Sequence, residues 1–191
     1  TYIVTLTVTN AQNCVGVYAD TITIYPPDTT CTITPPSTAP ICQGDSVMLS
    51  ASVGTAYQWL LNGNPILGAT GPTYWADSTG NYSVIVYDAN GCPCTTDVVA
   101  VTVNPPPVVN PTSQPGPILC GPAPVNLLTY FDPLYTYNWT YVSGPGAPAM
   151  FNTNTNQAFV VITGPGTYVF QVWAMDGFGC VDSATTSVVV Y

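Results

Sequence analysis

The chain of 191 residues contains no lysine, no arginine, no histidine and no glutamate, and its nine aspartates give a net charge of −9. Without a side-chain cation nothing in it neutralises phosphates, so nucleic acid and anionic membrane surfaces are excluded as partners. The usual general bases, Schiff-base amines and oxyanion clamps are missing too, which leaves Asp, Cys, Ser and Tyr as the candidate reactive groups. No serine has a His or Lys to act as its base. The expectation is a protein that is not an enzyme and carries no cofactor. Side-chain salt bridges are equally excluded, so stability must come from apolar burial, hydrogen bonds and cross-links. With 47% hydrophobic residues, burial is feasible. No run of about 18 apolar residues occurs, so membrane insertion by a helix is not expected. Thr1 opens directly into the strand-patterned stretch 2–9, and the sequence reads as an internal segment without a leader.

What is abundant is Thr, with 28 residues, together with 20 Pro and 16 Gly. Frequent Gly and Pro, with none of the charged helix formers, disfavour helix throughout. Period-two alternation recurs instead, as in Tyr2/Val4/Leu6/Val8, Tyr57/Trp59/Leu61, Tyr82/Val84/Val86, Tyr137/Trp139/Tyr141 and Tyr168/Phe170/Val172. Short strands separated by turns predict an all-β protein built of β-sandwich modules.

Laid on itself with a shift of 166 residues, the chain repeats without a gap. Thr1-Tyr2 matches Thr167-Tyr168, Asn10 matches Asp176, Cys14-Val15 matches Cys180-Val181, and Tyr25 matches Tyr191. A third copy, Gly80-Asn81-Tyr82 through Asn90-Gly91-Cys92, lies between them with a strand two residues shorter. The copies read as the closing hairpins of three modules, of which the first is a remnant. Boundaries are expected at Pro26-Pro27 and Pro105-Pro106-Pro107, giving modules over 1–27, 28–107 and 108–191. The Pro-rich stretches act as semi-rigid spacers, and the expected shape is an elongated rod of beads.

In the second module Cys42-Gln43-Gly44-Asp45-Ser46 leads into a strand, followed by Tyr57-Gln58-Trp59, Asn62-Gly63, Gly80-Asn81-Tyr82 and Asp88-Ala89-Asn90-Gly91-Cys92. This pattern resembles the immunoglobulin-like and PKD-like repeats of large secreted surface proteins of Bacteroidota, including adhesion and gliding proteins exported by the type IX pathway. The third module departs from it with Cys120-Gly121-Pro122 and a longer middle section, and it and the first remnant look more PKD-like. The resemblance implies tandem Ig-like and PKD-like sandwiches joined by Pro-rich linkers, outside the cell and at its surface. Trp59 and Trp139 are expected in the core between sheets. Tyr82 and Tyr168 suit a buried ring with a hydroxyl bonded to backbone.

Seven cysteines point to an oxidising setting and to disulfides. Zinc is disfavoured, because no paired CxxC occurs and Cys92-Pro93-Cys94 is too tight. Module symmetry pairs the cysteine that opens each module with the one in its closing hairpin: Cys42 with Cys92, and Cys120 with Cys180. Cys31 and Cys94 are then left to clip the linker to the second module, and Cys14 has no partner.

Five of the nine aspartates precede Ser or Thr and then Ala, Ile, Val or Thr. The triplet resembles the O-glycosylation acceptor of Bacteroidota, with Thr21, Thr29, Ser46, Ser78 and Ser183 as acceptors; turn and strand-start chemistry is the competing explanation. The sequons at Asn81 and Asn138 lie in predicted strands and are discounted. Asp88, Asn90, Asp176 and their glycines have turn chemistry, which accounts for them more simply than calcium binding. Asp28-Thr29-Thr30 and Asp77-Ser78-Thr79 resemble the Asp-Thr/Ser-Gly of aspartic proteases but lack the Gly.

The leading expectation is a structural and adhesive segment of a cell-surface stalk, fibre or filament, with neighbouring copies or modules of the same protein as partners. The alternative is a carbohydrate-binding accessory region of a larger secreted hydrolase. Surface glycans would then stack on Trp75, Trp173, Tyr74 or Tyr141.

Overall fold

The structure, a computed structural model, describes residues 1–25 and 30–191, and these contain strands, turns and bends but no helix. By their contacts they form two compact units. The first comprises Thr1–Ser37, Met48–Trp75 and Gly80–Ala100; the second comprises Thr38–Val47, Ala76–Thr79 and Val101–Tyr191.

The three matching stretches fold into hairpins with one turn. Strands Tyr2–Thr9 and Val15–Ile22 pair antiparallel from Tyr2↔Ile22 to Thr9↔Val15. Strands Gly166–Met175 and Val181–Val190 do so with Tyr168↔Val188 and Met175↔Val181, the same register displaced by 166. In each turn one Asx side chain accepts two backbone N–H bonds, from the residues two and four further on. Asn10 Oδ1 accepts from Gln12 and Cys14 at 2.9 and 3.0 Å. Asp88 Oδ1 accepts from Asn90 and Cys92 at 2.8 and 2.8 Å, and Asp176 Oδ1 from Phe178 and Cys180 at 2.8 and 2.9 Å. The residue before the cysteine has positive φ each time: Asn13 at 60°, Gly91 at 78° and Gly179 at 89°. Asn and Gly are the residues that tolerate that region.

In the second unit two four-stranded sheets face each other. One runs Thr112–Gln114, Pro124–Leu128, Gln157–Val161, Ala149–Phe151; the other runs Ile118–Leu119, Val181–Val190, Gly166–Met175, Thr136–Ser143. Alternation sends Val125, Leu127 and Val160 from the first sheet and Trp139, Tyr168, Phe170, Val172 and Val188 from the second into one core. Tyr168 is buried and its hydroxyl donates to the Gly164 carbonyl at 3.0 Å. Tyr82 is buried at the matching place in the first unit.

A Tyr-x-Trp strand is held alike in both units. In the first, Trp59 is buried with its indole N–H donating to the Gly71 carbonyl at 2.9 Å, and the Tyr57 hydroxyl accepts the Gly54 N–H (2.8 Å) and donates to the Gly54 carbonyl (3.0 Å). A Cβ on Gly54 would run into the Val86 side chain and the Tyr87 carbonyl. In the second, Trp139 donates to the Thr155 carbonyl at 3.1 Å, and the Tyr137 hydroxyl accepts the Asp132 N–H (2.7 Å) and donates to the Tyr130 carbonyl (3.0 Å). Each strand therefore pins the loop before it through a phenol and the loop after it through an indole.

Register-equivalent positions differ in burial. Phe170, Val172 and Ala174 are each 0% exposed, whereas Val4, Leu6 and Val8 on the first hairpin are 52, 60 and 57% exposed. Phe170→Ala should lower stability by about 3–5 kcal/mol in urea titration, while Leu6→Ala should change it by less than about 0.5 kcal/mol. Equal effects would mean that the two hairpins are packed alike.

Candidate functional site

The cysteines pair differently from the symmetric expectation. Cys31 is joined to Cys94 (Cα–Cα 6.1 Å), both in the first unit. Cys42 is joined to Cys180 (Cα–Cα 5.4 Å), both in the second, and Cys14, Cys92 and Cys120 are free. Neither Cys42–Cys92 nor Cys120–Cys180 forms. The reason is that strand Ile41–Cys42, though it opens the second module in sequence, lies in the second unit, where it runs parallel to Val103–Asn104. A disulfide needs Cα atoms within about 4.4–6.8 Å, and the half-cystine within that reach of Cys42 is Cys180.

Of the O-glycosylation acceptors, Thr21, Ser46, Ser78 and Ser183 are exposed, and Thr29 lies outside the described residues. Asp20 and Asp182 each accept the backbone N–H of the following acceptor residue at 2.8 Å. Ser78 Oγ donates to Asp77 Oδ1 at 2.9 Å. The aspartate thus shapes the backbone at Thr21 and Ser183, and all four described acceptor residues are exposed.

The four aromatic candidates separate into two kinds. Tyr74 sits in a row of rings, 5.8 Å from both Trp59 and Tyr82, and is half-buried in the packing of the first unit while also lining the cavity beside Trp75. Tyr141 stands edge-on to Phe170 at 6.1 Å and packs against the second core. Trp75, next to the inward Tyr74, is 60% exposed and lines a shallow cavity of 420 Å³ with Leu67, Ala69 and Thr73. Trp173 is 36% exposed, on the outward face of its sheet, beside a cavity of 460 Å³ lined also by Gln171, Val181, Asp182 and Ser183. Asn138 and Ser183 flank Trp173 on the neighbouring strands, and Thr140 and Thr185 flank Gln171. Gln171 Nε2 donates to Ser183 Oγ at 3.1 Å. An indole surrounded by amides and hydroxyls can stack on an apolar ring face and bond its rim. The period-two rule applied from Trp173 would have found Gln171, and strand pairing adds the rest.

A cavity of 440 Å³ beside the third turn is lined by Asp132, Tyr135, Asp176 and Phe178. Burial and the carboxylates of Asp132 and Asp176 raise the Tyr135 phenol above its ordinary value. Both carboxylates already accept backbone N–H bonds, from Leu134 and from Phe178 and Cys180. Among the described residues no cluster of three or more His, Cys, Asp or Glu is placed to hold a metal ion.

Residues 130–190 match the K319L-like, PKD domain family. This PKD-like segment contains the Trp139 strand, the third hairpin and the outward face of Trp173, and its match agrees with the all-β sandwich and with an extracellular structural or binding module. None of the curated proteins matches the chain. Among solved structures it is similar to the PKD domain from KIAA 1837 protein, at 25% identity over 42% of this chain and 86% of that one, with a TM-score of 0.36. It is also similar to fibronectin(III)-like modules of Clostridium thermocellum CbhA, at 13% identity over 85% and 93%, TM-score 0.36. A Bacteroides ovatus glucan-utilization protein, SGBP-B, solved with a mixed-linkage heptasaccharide, is 17% identical over 86% of this chain and 48% of that one, TM-score 0.33. No helix among the described residues is long and apolar enough to cross a membrane.

Cys31 and Cys94 are separated by 63 residues. Replacing both by serine should cost about 2–4 kcal/mol, read as a lower urea midpoint. A midpoint within error of the wild type would mean that the bridge constrains nothing the fold does not already hold.

Proposed function

We propose that the chain is a structural and adhesive segment of an extracellular surface stalk, fibre or filament, made of tandem Ig-like and PKD-like modules. The observation that carries this reading is the reuse of one closing hairpin three times and one Tyr-x-Trp clamp twice. Repeated β-sandwich modules are how long, stiff extracellular spacers are assembled. The absence of Lys and Arg supports exposure outside the cell, because trypsin-like proteases find no cleavage site. Export by a type IX route and attachment at the surface are part of the proposal, resting on the resemblance of the Cys-Gln-Gly, Trp and Asn-Gly-Cys pattern. Electron microscopy of the native surface or shed fraction should show beaded strands or a polymer with a fixed axial repeat. Compact, isolated globules would overturn the reading.

The exposed acceptor hydroxyls support O-glycosylation of the Asp-Ser/Thr triplets. Peptides of the native protein that carry Thr21, Thr29, Ser46, Ser78 or Ser183 should then exceed their bare masses by sugar increments in mass spectrometry. Bare masses at all five positions would remove the glycan.

A second reading, carbohydrate binding, is favoured by the face around Trp173, where an exposed indole is bordered by Asn138, Gln171 and Ser183. On glycan arrays Trp173→Ala should abolish any binding of neutral polysaccharide, and Trp75→Ala tests the other exposed indole. No binding by the unaltered protein would leave the structural reading alone.

A further inference from the structure

The free cysteines occupy the same structural positions as the bonded ones. Cys14, Cys92 and Cys180 each close the shared turn, each donating its N–H to the Asx side chain four residues earlier. Cys42 and Cys120 each stand at the end of a short opening strand that runs parallel to a last strand. Ile41–Cys42 pairs with Val103–Asn104, and Ile118–Leu119, directly before Cys120, pairs with Val189–Val190. Backbone bonds join each pair: Gln43, on the opening side, donates its N–H to Asn104 O at 2.9 Å, and in the third repeat Tyr191, on the last-strand side, donates its N–H to Leu119 O at 3.0 Å. The one bond between these two classes joins the opening cysteine of the second repeat, Cys42, to the closing-turn cysteine of the third, Cys180.

We infer that this is a general rule: the opening cysteine of one repeat is bonded to the closing-turn cysteine of the repeat that follows it. Cys120 is then an open half of such a staple. Its partner is the closing-turn cysteine of another repeat of this kind, supplied by a following repeat or by a second copy of the chain. Within the chain the complementary half is Cys14, whose hairpin stands first in sequence. Both Cys14 and Cys120 are exposed, so two copies joined head to tail through Cys120 and Cys14 reproduce the order seen at Cys42–Cys180. Cys92 closes the turn of the second repeat, so by the same rule its partner is the opening cysteine of the first repeat, and in this chain it is free. One rule accounts for two bonded and three free cysteines, and it leaves Cys31–Cys94 as a separate clip.

The bond needs an oxidant, taken here as a small-molecule disulfide such as oxidised glutathione. The Cys120 thiolate attacks one glutathione sulfur and expels the other glutathione as thiolate. The Cys14 thiolate of the second copy then attacks Cys120 Sγ in the mixed disulfide and expels the remaining glutathione. Two protein thiols are oxidised and one glutathione disulfide is reduced to two thiols, the expelled thiolates taking up the two protons that the protein thiols gave up. A head-to-tail contact of this type uses a different half on each copy, so every joined copy keeps an open half for the next and the contact propagates beyond a dimer.

The inference rests on the structural-module reading and is tested separately from it. The purified chain, with its two native disulfides intact, is incubated with oxidised glutathione, alkylated, and run without reductant; chymotryptic peptides are then mapped. Expected are a ladder of multimers, a Cys120–Cys14 peptide, and Cys92 recovered alkylated. Cys120→Ser and Cys14→Ser should each abolish the ladder, and a mixture of the two variants should give a dimer and nothing larger. Both positions are exposed, and unchanged urea midpoints of the variants exclude misfolding as the cause. Monomer with three alkylated thiols, a Cys92–Cys120 bond within one chain, or symmetric Cys14–Cys14 and Cys120–Cys120 dimers would overturn the rule. Beaded strands seen by microscopy together with any of those results would retain the structural module without the staple.

Discussion

With no side-chain cation in the chain, an aspartate makes no ion pair with a side chain, and much of the structure follows from the backbone N–H groups that several aspartates bond instead. Asp20, Asp88, Asp132, Asp176 and Asp182 each accept at least one backbone N–H. A carboxylate that accepts two N–H groups, as Asp88 and Asp176 do, replaces water at a turn and fixes the path of the chain over five residues. Asn10 performs the same task without a charge, so the geometry of the acceptor matters here more than its sign. The turn then sets the register of the strands it joins, and register decides which side chains face inward.

On that register the aromatic residues build the cores. Trp59 and Trp139 are buried, and their N–H groups are spent on carbonyls of the following loops, which offsets the cost of burying an indole donor. Tyr57 and Tyr137 act in the opposite direction along the chain, holding the preceding loops through both functions of one hydroxyl. Loops pinned on either side of a strand by that strand's own side chains need no ion pairs. An all-β protein without Lys or Arg can thus be ordered by phenol, indole and carboxylate bonds to its own backbone, together with two disulfides.

The strands, the hairpin copies and the buried tryptophans were legible because they depend on local pattern: alternation, Asx-Gly turns and spacing. The direction of Tyr74 and Tyr141 was legible too, had alternation been followed one step further. Tyr74 and Trp75 are adjacent on a strand and must point to opposite faces, and Tyr141 shares the parity of the buried Trp139. The Cys31–Cys94 pair was legible as the pair left over by module symmetry, whereas the partner of Cys42 was not. It depends on which residues from distant parts of the sequence share a unit, and strand Ile41–Cys42 lies with residues 101–191. Nothing in the local pattern around Cys42 distinguishes Cys92 from Cys180, since both close the same turn.

The first and third hairpins separate what local sequence specifies from what packing adds. They have the same ladder, the same Asx acceptor and the same positive φ before the cysteine. Only the third has its inward face buried, because the sheet of Pro124–Leu128 and Gln157–Val161 lies against it. Turn and register are therefore encoded within about 25 residues, whereas the burial of Phe170, Val172 and Ala174 is supplied by strands outside the hairpin, Pro124–Leu128 and Gln157–Val161. A two-stranded ladder alone is marginal in water. The value of the hairpin to a module of this kind is that its register gathers an apolar face, which the second sheet covers and thereby stabilises.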